Sequence, residues 1–346
     1  MKTDARIAAA VILALAFSAT AAHAQTSRYR WTKIADSAAF APRDGAGALT
    51  FNKQMWLLGG WNPSDKLNFP SITNSEVWSS TDGRTWTKRL AQAPWEGRHT
   101  AGYVVFAGKM WIIGGDANRG RYQSDVWNTC DGLNWTQVTP AVPWGPRALH
   151  YTLVHDNKLW VMGGQTMPDF VPGSPLLYYN DVWNSKDGKT WTLVTEHAGW
   201  SPRGMICGAV EFNNRMWIIG GGQYPQKGNP RTYYRDVWNS SDGKTWTNAT
   251  AAAPWPGRNY HNVAVFDNRI WILGGYSPDK GRNLNDVWYS PDGAAWTQLP
   301  DPPWPPRHAA SVFVFDNAMW IVTGNNMQSD VWRLDVIPKP SNGRQE

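Results

Sequence analysis

The sequence predicts an all-β domain built from six similar units, and three observations support this prediction. A Trp-x-x-Gly-Gly motif occurs five times, and a degenerate sixth copy ends in Thr323-Gly324. Successive copies are 55, 49, 57, 54 and 49 residues apart, a period that indicates a repeat architecture. The 32 glycines and 24 prolines among 346 residues favour short strands joined by turns. The five complete diglycines are Gly59-Gly60, Gly114-Gly115, Gly163-Gly164, Gly220-Gly221 and Gly274-Gly275.

Tryptophan marks the same repeat, because all but one of the 24 tryptophans fall into four columns that recur from unit to unit. A residue that every unit shares is best explained by packing between neighbouring sheets, since aromatic side chains bury large areas. Trp61 alone lies outside the columns and is a candidate binding residue. The columns are Trp56, Trp111, Trp160, Trp217, Trp271 and Trp320 before the diglycine; Trp78, Trp127, Trp183, Trp238, Trp288 and Trp332 in Asp/Glu-Val-Trp; Trp31, Trp86, Trp135, Trp191, Trp246 and Trp296 in Trp-Thr; and Phe40, Trp95, Trp144, Trp200, Trp255 and Trp304 at the start of each unit.

Each unit is predicted to contain four strands. In the fifth unit these are residues 258–266, 269–273, 286–289 and 295–298. An Asp-Gly pair between the third and fourth strands predicts a tight hairpin turn. The same pair occurs at Asp82-Gly83, Asp131-Gly132, Asp187-Gly188, Asp242-Gly243 and Asp292-Gly293.

The ends of the repeat predict how the array closes. The sixth unit has Asp330-Val331-Trp332 but no Asp-Gly turn and no Trp-Thr strand, whereas Trp31-Thr32 precedes the first unit. We therefore expect a strand at about 29–34 to complete the last unit, because closure removes the open ends of a circular array. The predicted fold is a six-bladed β-propeller over residues 25–337, followed by a disordered tail at 338–346.

Residues 1–24 predict a cleaved signal peptide. Lys2 and Arg6 precede an apolar run over 7–17, and Ala22-His23-Ala24 fits cleavage before Gln25. The apolar run is too short to span a bilayer, so we expect a periplasmic or secreted protein with no stable membrane insertion. The formal charge of +6 mildly favours anionic partners, and the lack of a Lys/Arg run argues against nucleic-acid binding.

The diglycine after an apolar strand, the Trp of Asp-Val-Trp and the Trp of Trp-Thr resemble the Kelch family over about residues 28–337. The resemblance implies that ligands meet the face that carries the loops into the inner strands and the loops after the diglycines. It also places one arginine per unit around the mouth of the central channel. Guanidinium groups suit carboxylate or phosphate, so the arginines are either a scaffold feature or an anion-binding ring. They are Arg43, Arg98, Arg147, Arg203, Arg258 and Arg307.

One column of the inner strands differs between units and is a candidate for specialised chemistry. Three interpretations stay open: the residues fill space, they bind copper or zinc through soft ligands, or Cys207 is a nucleophile with a histidine as its base. Cys130 belongs to an outer hairpin too far from Cys207 for a disulfide, so Cys207 is expected to be a free thiol. The column reads Ala46, Ala101, His150, Cys207, His261 and Ala310.

Long loops after the diglycines indicate where a pocket lies. Insertions are expected at about 61–75, 165–180 and 222–235, and long loops on a rigid scaffold commonly carry function. We expect a pocket over blades 3–5, floored by His150, Cys207 and His261. Further candidate contacts for a ligand, on the walls or on the far side, are Tyr179, Tyr234, Trp61, Asp44, His99 and His308.

Three kinds of function follow from these features. The first is binding of a small anionic ligand or glycan, or of a protein segment, at the arginine-lined mouth. Periplasmic sialic-acid mutarotases are exported six-bladed Kelch propellers, and their resemblance implies an enzyme acting on an acidic sugar with His150 and His261 as acid and base. Arg258-Asn259-Tyr260-His261 is similar to the copper-ligand strand of galactose oxidase, which makes Tyr260 a candidate catalytic residue. The second such tyrosine and the extra domains of that enzyme are absent. No cofactor is firmly predicted, and copper and zinc stay open.

Overall fold

The computed structural model describes residues 28–64, 72–117, 120–168, 171–204, 208–224 and 232–338. Within these ranges the regular structure consists of β-strands, arranged as six four-stranded sheets and two short two-stranded ladders. The prediction of an all-β, six-bladed propeller is confirmed. The predicted signal segment 1–24 and residues 339–346 of the predicted tail lie outside the described residues.

The first strand, β1 (Tyr29–Ala35), is followed by five blades that are each formed from one continuous stretch of chain. Blade 1 consists of β2 (Gly47–Phe51), β3 (Gln54–Leu58), β4 (Val77–Ser80) and β5 (Thr87–Leu90). Blade 2 consists of β6 (Gly102–Phe106), β7 (Lys109–Asp116), β8 (Tyr122–Thr129) and β9 (Thr136–Thr139). Blade 3 consists of β10 (Tyr151–His155), β11 (Lys158–Met162), β14 (Val182–Ser185) and β15 (Trp191–Thr195), with β12 (Gln165–Thr166) and β13 (Leu177–Tyr178) as a separate ladder.

Blade 4 repeats the arrangement of blade 3, with β16 (Ala209–Phe212), β17 (Arg215–Ile219), β20 (Val237–Ser240) and β21 (Thr247–Thr250), and a ladder of β18 (Gly222–Gln223) and β19 (Thr232–Tyr233). Blade 5 consists of β22 (Asn262–Phe266), β23 (Arg269–Ser277), β24 (Arg282–Ser290) and β25 (Thr297–Leu299). Blade 6 contains β26 (Ser311–Phe315), β27 (Ala318–Val322) and β28 (Val331–Val336), and its fourth strand is β1. Trp31 of β1 lies opposite Leu334 of β28 in this antiparallel pairing.

The blades form a closed ring. The inner strands contact one another in the order β2, β6, β10, β16, β22, β26 and back to β2. The second strands are almost wholly buried between neighbouring blades, whereas an outer strand such as β5 is mostly exposed. The apolar core is therefore divided into layers, one in each seam between two blades, which is the packing that a repeated tryptophan column predicts.

A contact between tryptophan and glycine holds the seams together. Gly132 of the Asp-Gly turn in blade 2 has a φ of 76°, and a Cβ there would overlap the indole of Trp56 in blade 1. The same relationship joins Trp320 to Gly83, Trp111 to Gly188, Trp160 to Gly243 and Trp217 to Gly293. Glycine is needed in these turns both for the left-handed backbone and for the close approach of the indole.

The strands of the fifth unit differ from their predicted bounds in two ways. Its inner strand begins at Asn262 rather than at Arg258, because Tyr260 has a φ of 52° and interrupts the extended chain. Strands β23 and β24 continue beyond the diglycine and pair Gly275 with Leu284. The loops around the diglycine thus have a regular geometry of their own, and that geometry organises the candidate site.

Candidate functional site

Each blade carries a short backbone ladder just beyond its diglycine. Gly59 and Gly60 both have positive φ, 61° and 107°, and a Cβ on Gly60 would come within 2.9 Å of the Ala46 Cβ. Two glycines therefore let the chain turn back closely enough for Trp61 and Asp44 to exchange backbone hydrogen bonds of 3.0 and 2.9 Å. The other blades pair His99 with Asp116, Ala148 with Gln165, Gly204 with Gly222, Asn259 with Tyr276, and His308 with Asn325.

These ladders define two columns of residues at one face of the channel. The first column follows the repeated arginine directly, and the second follows the diglycine. Both columns change from blade to blade, unlike the arginines and tryptophans. The first column reads Asp44, His99, Ala148, Gly204, Asn259 and His308, and the second reads Trp61, Asp116, Gln165, Gly222, Tyr276 and Asn325.

The six arginines do not form the open anion-binding ring that the sequence suggested. Each is at most 2% exposed, and each guanidinium is paired with the acidic residue of the Asp/Glu-Val-Trp motif in its own blade. Arg258 donates to both oxygens of Asp286 at 2.7 Å and to the Gly274 carbonyl at 2.8 Å. Burial alone would raise the pKa of Asp286, but the Arg258 guanidinium holds it below its ordinary value. The corresponding pairs are Arg43–Glu76, Arg98–Asp125, Arg147–Asp181, Arg203–Asp236 and Arg307–Asp330.

Two tyrosines that were expected to wall a pocket cover these arginines instead. The guanidinium carbon of Arg147 lies 3.7 Å from the ring centroid of Tyr179, and that of Arg203 lies 3.7 Å from the ring centroid of Tyr234. Stacking of a buried cation on a ring is stabilising when water is excluded. Tyr179 and Tyr234 are therefore part of the scaffold around the arginines.

The histidines of the inner-strand column are also tied into the seams. His150 donates from Nε2 to the Ile113 carbonyl of blade 2 at 3.2 Å, and His261 donates from Nε2 to the Ile219 carbonyl of blade 4 at 3.0 Å. Burial lowers the pKa of each imidazole to about 3, so both are neutral. Cys207 lies outside the described residues.

The two imidazoles do not fit one shared metal ion. His150 faces the seam between blades 2 and 3, whereas His261 faces the seam between blades 4 and 5. In the part of the chain that the structure describes, no group of three His, Cys, Asp or Glu side chains is arranged to hold a metal ion.

In the region of the expected pocket over blades 3–5, the described residues include a cluster of packed side chains. Ala148, Leu149 and Met167 of blade 3 pack with Ala309 of blade 6, and Tyr224 and Tyr260 border this cluster. Because blades 3 and 6 lie opposite each other in the ring, the cluster spans the mouth of the channel. The inner strands line a cavity of about 170 Å³, with Ala101, His150 and Asn262 among its lining residues.

Wherever the structure describes it, the residue two positions after the repeated arginine has a left-handed backbone. Leu149, Tyr260 and Ala309 have φ values of 62°, 52° and 49°. Such conformations cost energy for residues other than glycine, and they persist where the surrounding structure imposes them. Here they turn these three side chains into the cluster across the mouth. Tyr260 thus helps to close the mouth of the channel.

The side of the mouth formed by blades 5, 6, 1 and 2 is polar. We call the four residues of the first column on these blades the polar arc: Asn259, His308, Asp44 and His99. On blades 3 and 4 the same column holds the small residues Ala148 and Gly204. The specialised column is therefore the one that follows the arginines.

His99 joins two blades through an ion pair on each side of its ring. Its Nδ1 lies 3.2 Å from Asp116 Oδ2, and its Nε2 lies 3.4 Å from Asp44 Oδ1. Thr100 donates to the same Asp116 oxygen at 2.7 Å. Burial disfavours the charged ring, but the Asp116 and Asp44 carboxylates raise the pKa of His99 to about 10. His99 is therefore an imidazolium at neutral pH.

His308 has the opposite protonation state. Burial lowers the pKa of His308 to about 4, against the pull of the Asp44 carboxylate, so the ring is neutral at pH 7. Nδ1 lies 2.7 Å from Asn283 Oδ1 and donates to it, which leaves a lone pair on Nε2. Nε2 makes no hydrogen bond to a described residue. The ring stacks on Tyr260 with centroids 5.1 Å apart and meets the edge of Tyr276 at 6.2 Å.

Amide side chains connect the two histidines. Asn283 donates to Asn325 Oδ1 at 3.4 Å, and Asn325 donates to Asp44 Oδ2 at 3.3 Å. Asp44 Oδ1 is buried and makes no hydrogen bond within the described residues, and the same holds for Asn259 Oδ1. Asp44 Oδ1 still faces the His99 imidazolium at 3.4 Å, whereas Asn259 Oδ1 has capacity for a further donor.

The sequence identified part of this site. Asp44, His99, His308 and Trp61 are brought together at the mouth, whereas the six arginines, Tyr179, Tyr234, His150 and His261 serve the scaffold. Sequence reasoning missed Asn259, Asp116, Asn283 and Asn325. A comparison of the residues directly after each arginine and directly after each diglycine would have found three of these four.

The comparison with known families agrees with this architecture. The profile of the KLHDC2/KLHL20/DRC7 Kelch-repeats domain matches residues 177–339, slightly under half of the chain. The six four-stranded sheets form a six-bladed β-propeller, and the match shows that its second half is similar to this Kelch-repeats domain. Kelch propellers generally serve as scaffolds for protein interactions. No curated protein matches the chain. Among the described residues, no helix has the length and apolar character needed to cross a bilayer.

Proposed function

We propose that this Kelch propeller is an exported binding protein that holds a hydroxyl-rich ligand, a glycan, on the polar arc. The observation that supports this proposal most directly is a pair of acceptor atoms without described partners on two consecutive blades. They are Asn259 Oδ1 and His308 Nε2. Hydroxyl groups of a sugar supply the donors that these atoms lack.

Aromatic rings beside the arc favour a sugar over a simpler polar ligand. Tyr260 and Tyr276 contact the His308 ring, and the Trp61 ring centroid lies 6.3 Å from that of His99. Binding sites for small molecules combine such apolar faces with a few placed polar groups. Trp61, which packs in no repeated column, has a role here as one of these faces.

The same geometry weighs against the small anion and the acidic-sugar enzyme. All six guanidinium groups are engaged by carboxylates, so an anion would have to displace an acidic side chain. His150 and His261 are 2% and 0% exposed and hydrogen-bonded to the backbone, which removes them as an acid and base for sugar ring opening. We therefore place the ligand on the polar arc and propose that the protein binds it without catalysing a reaction.

A glycan array probed with residues 25–346 tests the proposal. We expect binding to a subset of neutral glycans, and a loss of about tenfold or more in affinity for Asn259→Ala and His308→Gln. The matched controls are Asn248→Ala and His197→Gln, which alter an exposed asparagine and an exposed histidine paired with Asn180 far from the arc. A protein that binds only peptides, or glycan binding that the arc variants leave unchanged, would contradict the proposal. Recovery of a chain that starts at Gln25 from the periplasm or medium tests export.

A further inference from the structure

A second cavity, of about 170 Å³, is bordered by strand β24 of blade 5 and by the loops that lead into blades 5 and 6. Its volume is similar to that of a protein cavity that holds one benzene molecule, so it suits a single six-membered ring. We call this cavity the blade-5 pocket. It combines two cations, amide side chains and an aromatic ring, because its lining includes Pro256, Lys280, Arg282, Asn285, Trp288 and Gln298.

In blade 2 the corresponding place holds an ion pair. Arg121 is the counterpart of Arg282, since each comes four residues before the acid of its Asp-Val-Trp motif. Glu96 is the counterpart of Pro256, since each directly follows the tryptophan that opens its unit. Arg121 donates to Glu96 Oε1 at 2.5 Å, and Gln123 donates to Glu96 Oε2 at 3.2 Å. Blade 2 therefore shows that this place in the scaffold accommodates a carboxylate.

Blade 5 keeps the arginine of this pair and lacks the acid. Arginine occupies this loop position in blades 2 and 5 alone among the six units, and an acid follows the opening tryptophan in blade 2 alone. Pro256 has no charge to offer to Arg282. The Arg282 guanidinium is exposed and makes no hydrogen bond or ion pair with a described residue. The pocket thus presents a cation whose usual partner in this scaffold is missing.

The charge of the pocket is positive. Asp286 also lines it, but both oxygens of this carboxylate accept hydrogen bonds of 2.7 Å from Arg258. Burial raises the pKa of Asp286, whereas Arg258 lowers it below its ordinary value and the nearby charge of Lys280 adds to the lowering. Because Asp286 already has its counter-ion, Lys280 and Arg282 leave an excess of positive charge for an anion from solution. An arginine guanidinium matches the geometry of a carboxylate.

The remaining lining suits the hydroxyl groups and the ring of a sugar. Trp288 is partly exposed and offers an aromatic surface. Gln298 is exposed, and its amide can both donate and accept hydrogen bonds. Asn285 donates from Nδ2 to two backbone carbonyls of the loop into blade 6, which leaves its Oδ1 as an acceptor.

We infer that the blade-5 pocket binds the carboxylate of an acidic sugar. Arg282 holds this carboxylate as Arg121 holds Glu96 in blade 2, and Lys280 supplies a second positive charge. Arg282 does not belong to the ring of six repeated arginines, and the inference does not rest on the function proposed for the polar arc. The two sites are neighbours, because Asn283 lines the pocket and its Oδ1 is hydrogen-bonded to a histidine of the arc.

A matched pair of ligands tests the inference. Methyl β-D-glucuronide and methyl β-D-glucoside differ only at C6, where one has a carboxylate and the other a hydroxymethyl group. Each is titrated into the purified protein at pH 7 and followed by NMR. We expect the glucuronide to bind about tenfold or more tightly than the glucoside, and added salt to weaken the glucuronide selectively. Equal affinities for the two ligands would overturn the inference.

Matched variants show whether Arg282 provides the preference. Arg282→Gln should bring the affinity for the glucuronide to within about twofold of that for the glucoside. Arg121→Gln alters the same loop position in blade 2, where the arginine is already paired, and should leave the preference intact. Both side chains are exposed, and thermal unfolding checks that each variant folds. A preference that survives Arg282→Gln would assign the binding to another site and contradict the inference.

A further variant supplies the acid that blade 5 lacks. Pro256→Glu should pair with Arg282 as Glu96 pairs with Arg121, and should weaken glucuronide binding about tenfold or more. Pro256→Ala is the control, because it removes the proline ring without adding charge, and it should keep the binding. Unchanged affinity in Pro256→Glu would contradict the inference. Acetate that binds as tightly as the glucuronide, with the same dependence on Arg282, would overturn the assignment to a sugar.

Discussion

Tyr29 packs edge-on against Trp271, with ring centroids 4.9 Å apart and ring planes at 88°. In the other five seams the equivalent tryptophan packs over the glycine of an Asp-Gly turn, but blade 6 has no such turn and β1 supplies a tyrosine instead. The Tyr29 hydroxyl also donates to Asp267 of blade 5 at 2.6 Å. The last seam is thus formed by different chemistry from the rest.

Tyr29→Ala should destabilise the protein by about 2–3 kcal/mol, because it removes a half-buried ring and its hydrogen bond across the seam. Chemical denaturation followed by tryptophan fluorescence measures the change. Arg30→Ala, on the exposed side of the same strand, should have little effect. Equal effects of the two substitutions would show that the seam does not depend on this ring.

Two fully buried tryptophans of blade 5 should respond differently to the same substitution. The Trp271 indole donates to the Phe266 carbonyl at 2.8 Å, whereas the Trp255 indole nitrogen has no described acceptor. Trp271→Phe should therefore cost about 1–3 kcal/mol more than Trp255→Phe, since it leaves a buried carbonyl unpaired. Blade 1 already has Phe40 at the position of Trp255. Equal unfolding free energies for the two variants would contradict this assignment.

The arginine pairs should prove structural. Asp286→Ala leaves the Arg258 guanidinium buried without its partner and should cost about 3 kcal/mol. Asp279→Ala, at an exposed carboxylate of the same blade, should cost almost nothing. If Asp286→Ala instead kept full stability and created tight binding of citrate, the arginines would have to be regarded as an anion site held closed by the acids.

Because of these histidines, the free energy of unfolding should decrease both at alkaline pH and at acidic pH. The folded-state pKa of His99 is raised to about 10 from an ordinary value near 6.5. Its contribution is therefore full below about pH 6.5 and is lost as the pH rises towards 10. The pKa values of His150 and His261 are lowered to about 3, so their contribution is full above about pH 6.5 and is lost as the pH falls towards 3.

Measurements of the free energy of unfolding between pH 3 and pH 10 test both decreases. His99→Gln should remove the decrease in unfolding free energy at alkaline pH and leave the decrease at acidic pH unchanged. A titration of the ring protons by NMR should show His99 protonated at pH 8. An imidazole at His99 that titrates near pH 6.5 would contradict the bridge between Asp44 and Asp116.

The blades were predictable from the sequence because each seam repeats the same contact. A tryptophan such as Trp56 needs a glycine such as Gly132 in the next blade, and both therefore recur at one period. The arginine pairs were hidden because Arg258 and Asp286 stand in different motifs, and a repeated charge looks the same in sequence whether it is paired or open. The variable column of the inner strands pointed to His150 and His261, but their rings donate hydrogen bonds to backbone carbonyls within the seams. Recognising Asn259 required the path of the backbone at the diglycine, which places the residue after each arginine at the mouth.

The pairing of β1 with β28 has a consequence for how the molecule is made. β1 precedes all the other strands in the chain and β28 follows them, so the sixth blade forms only after every other blade has been synthesised. Contacts between such distant segments are slow to form because a long loop must close first. Until then the ring stays open and Trp271 lacks its cover. The step that completes the fold therefore waits until the last strand of the chain has been made.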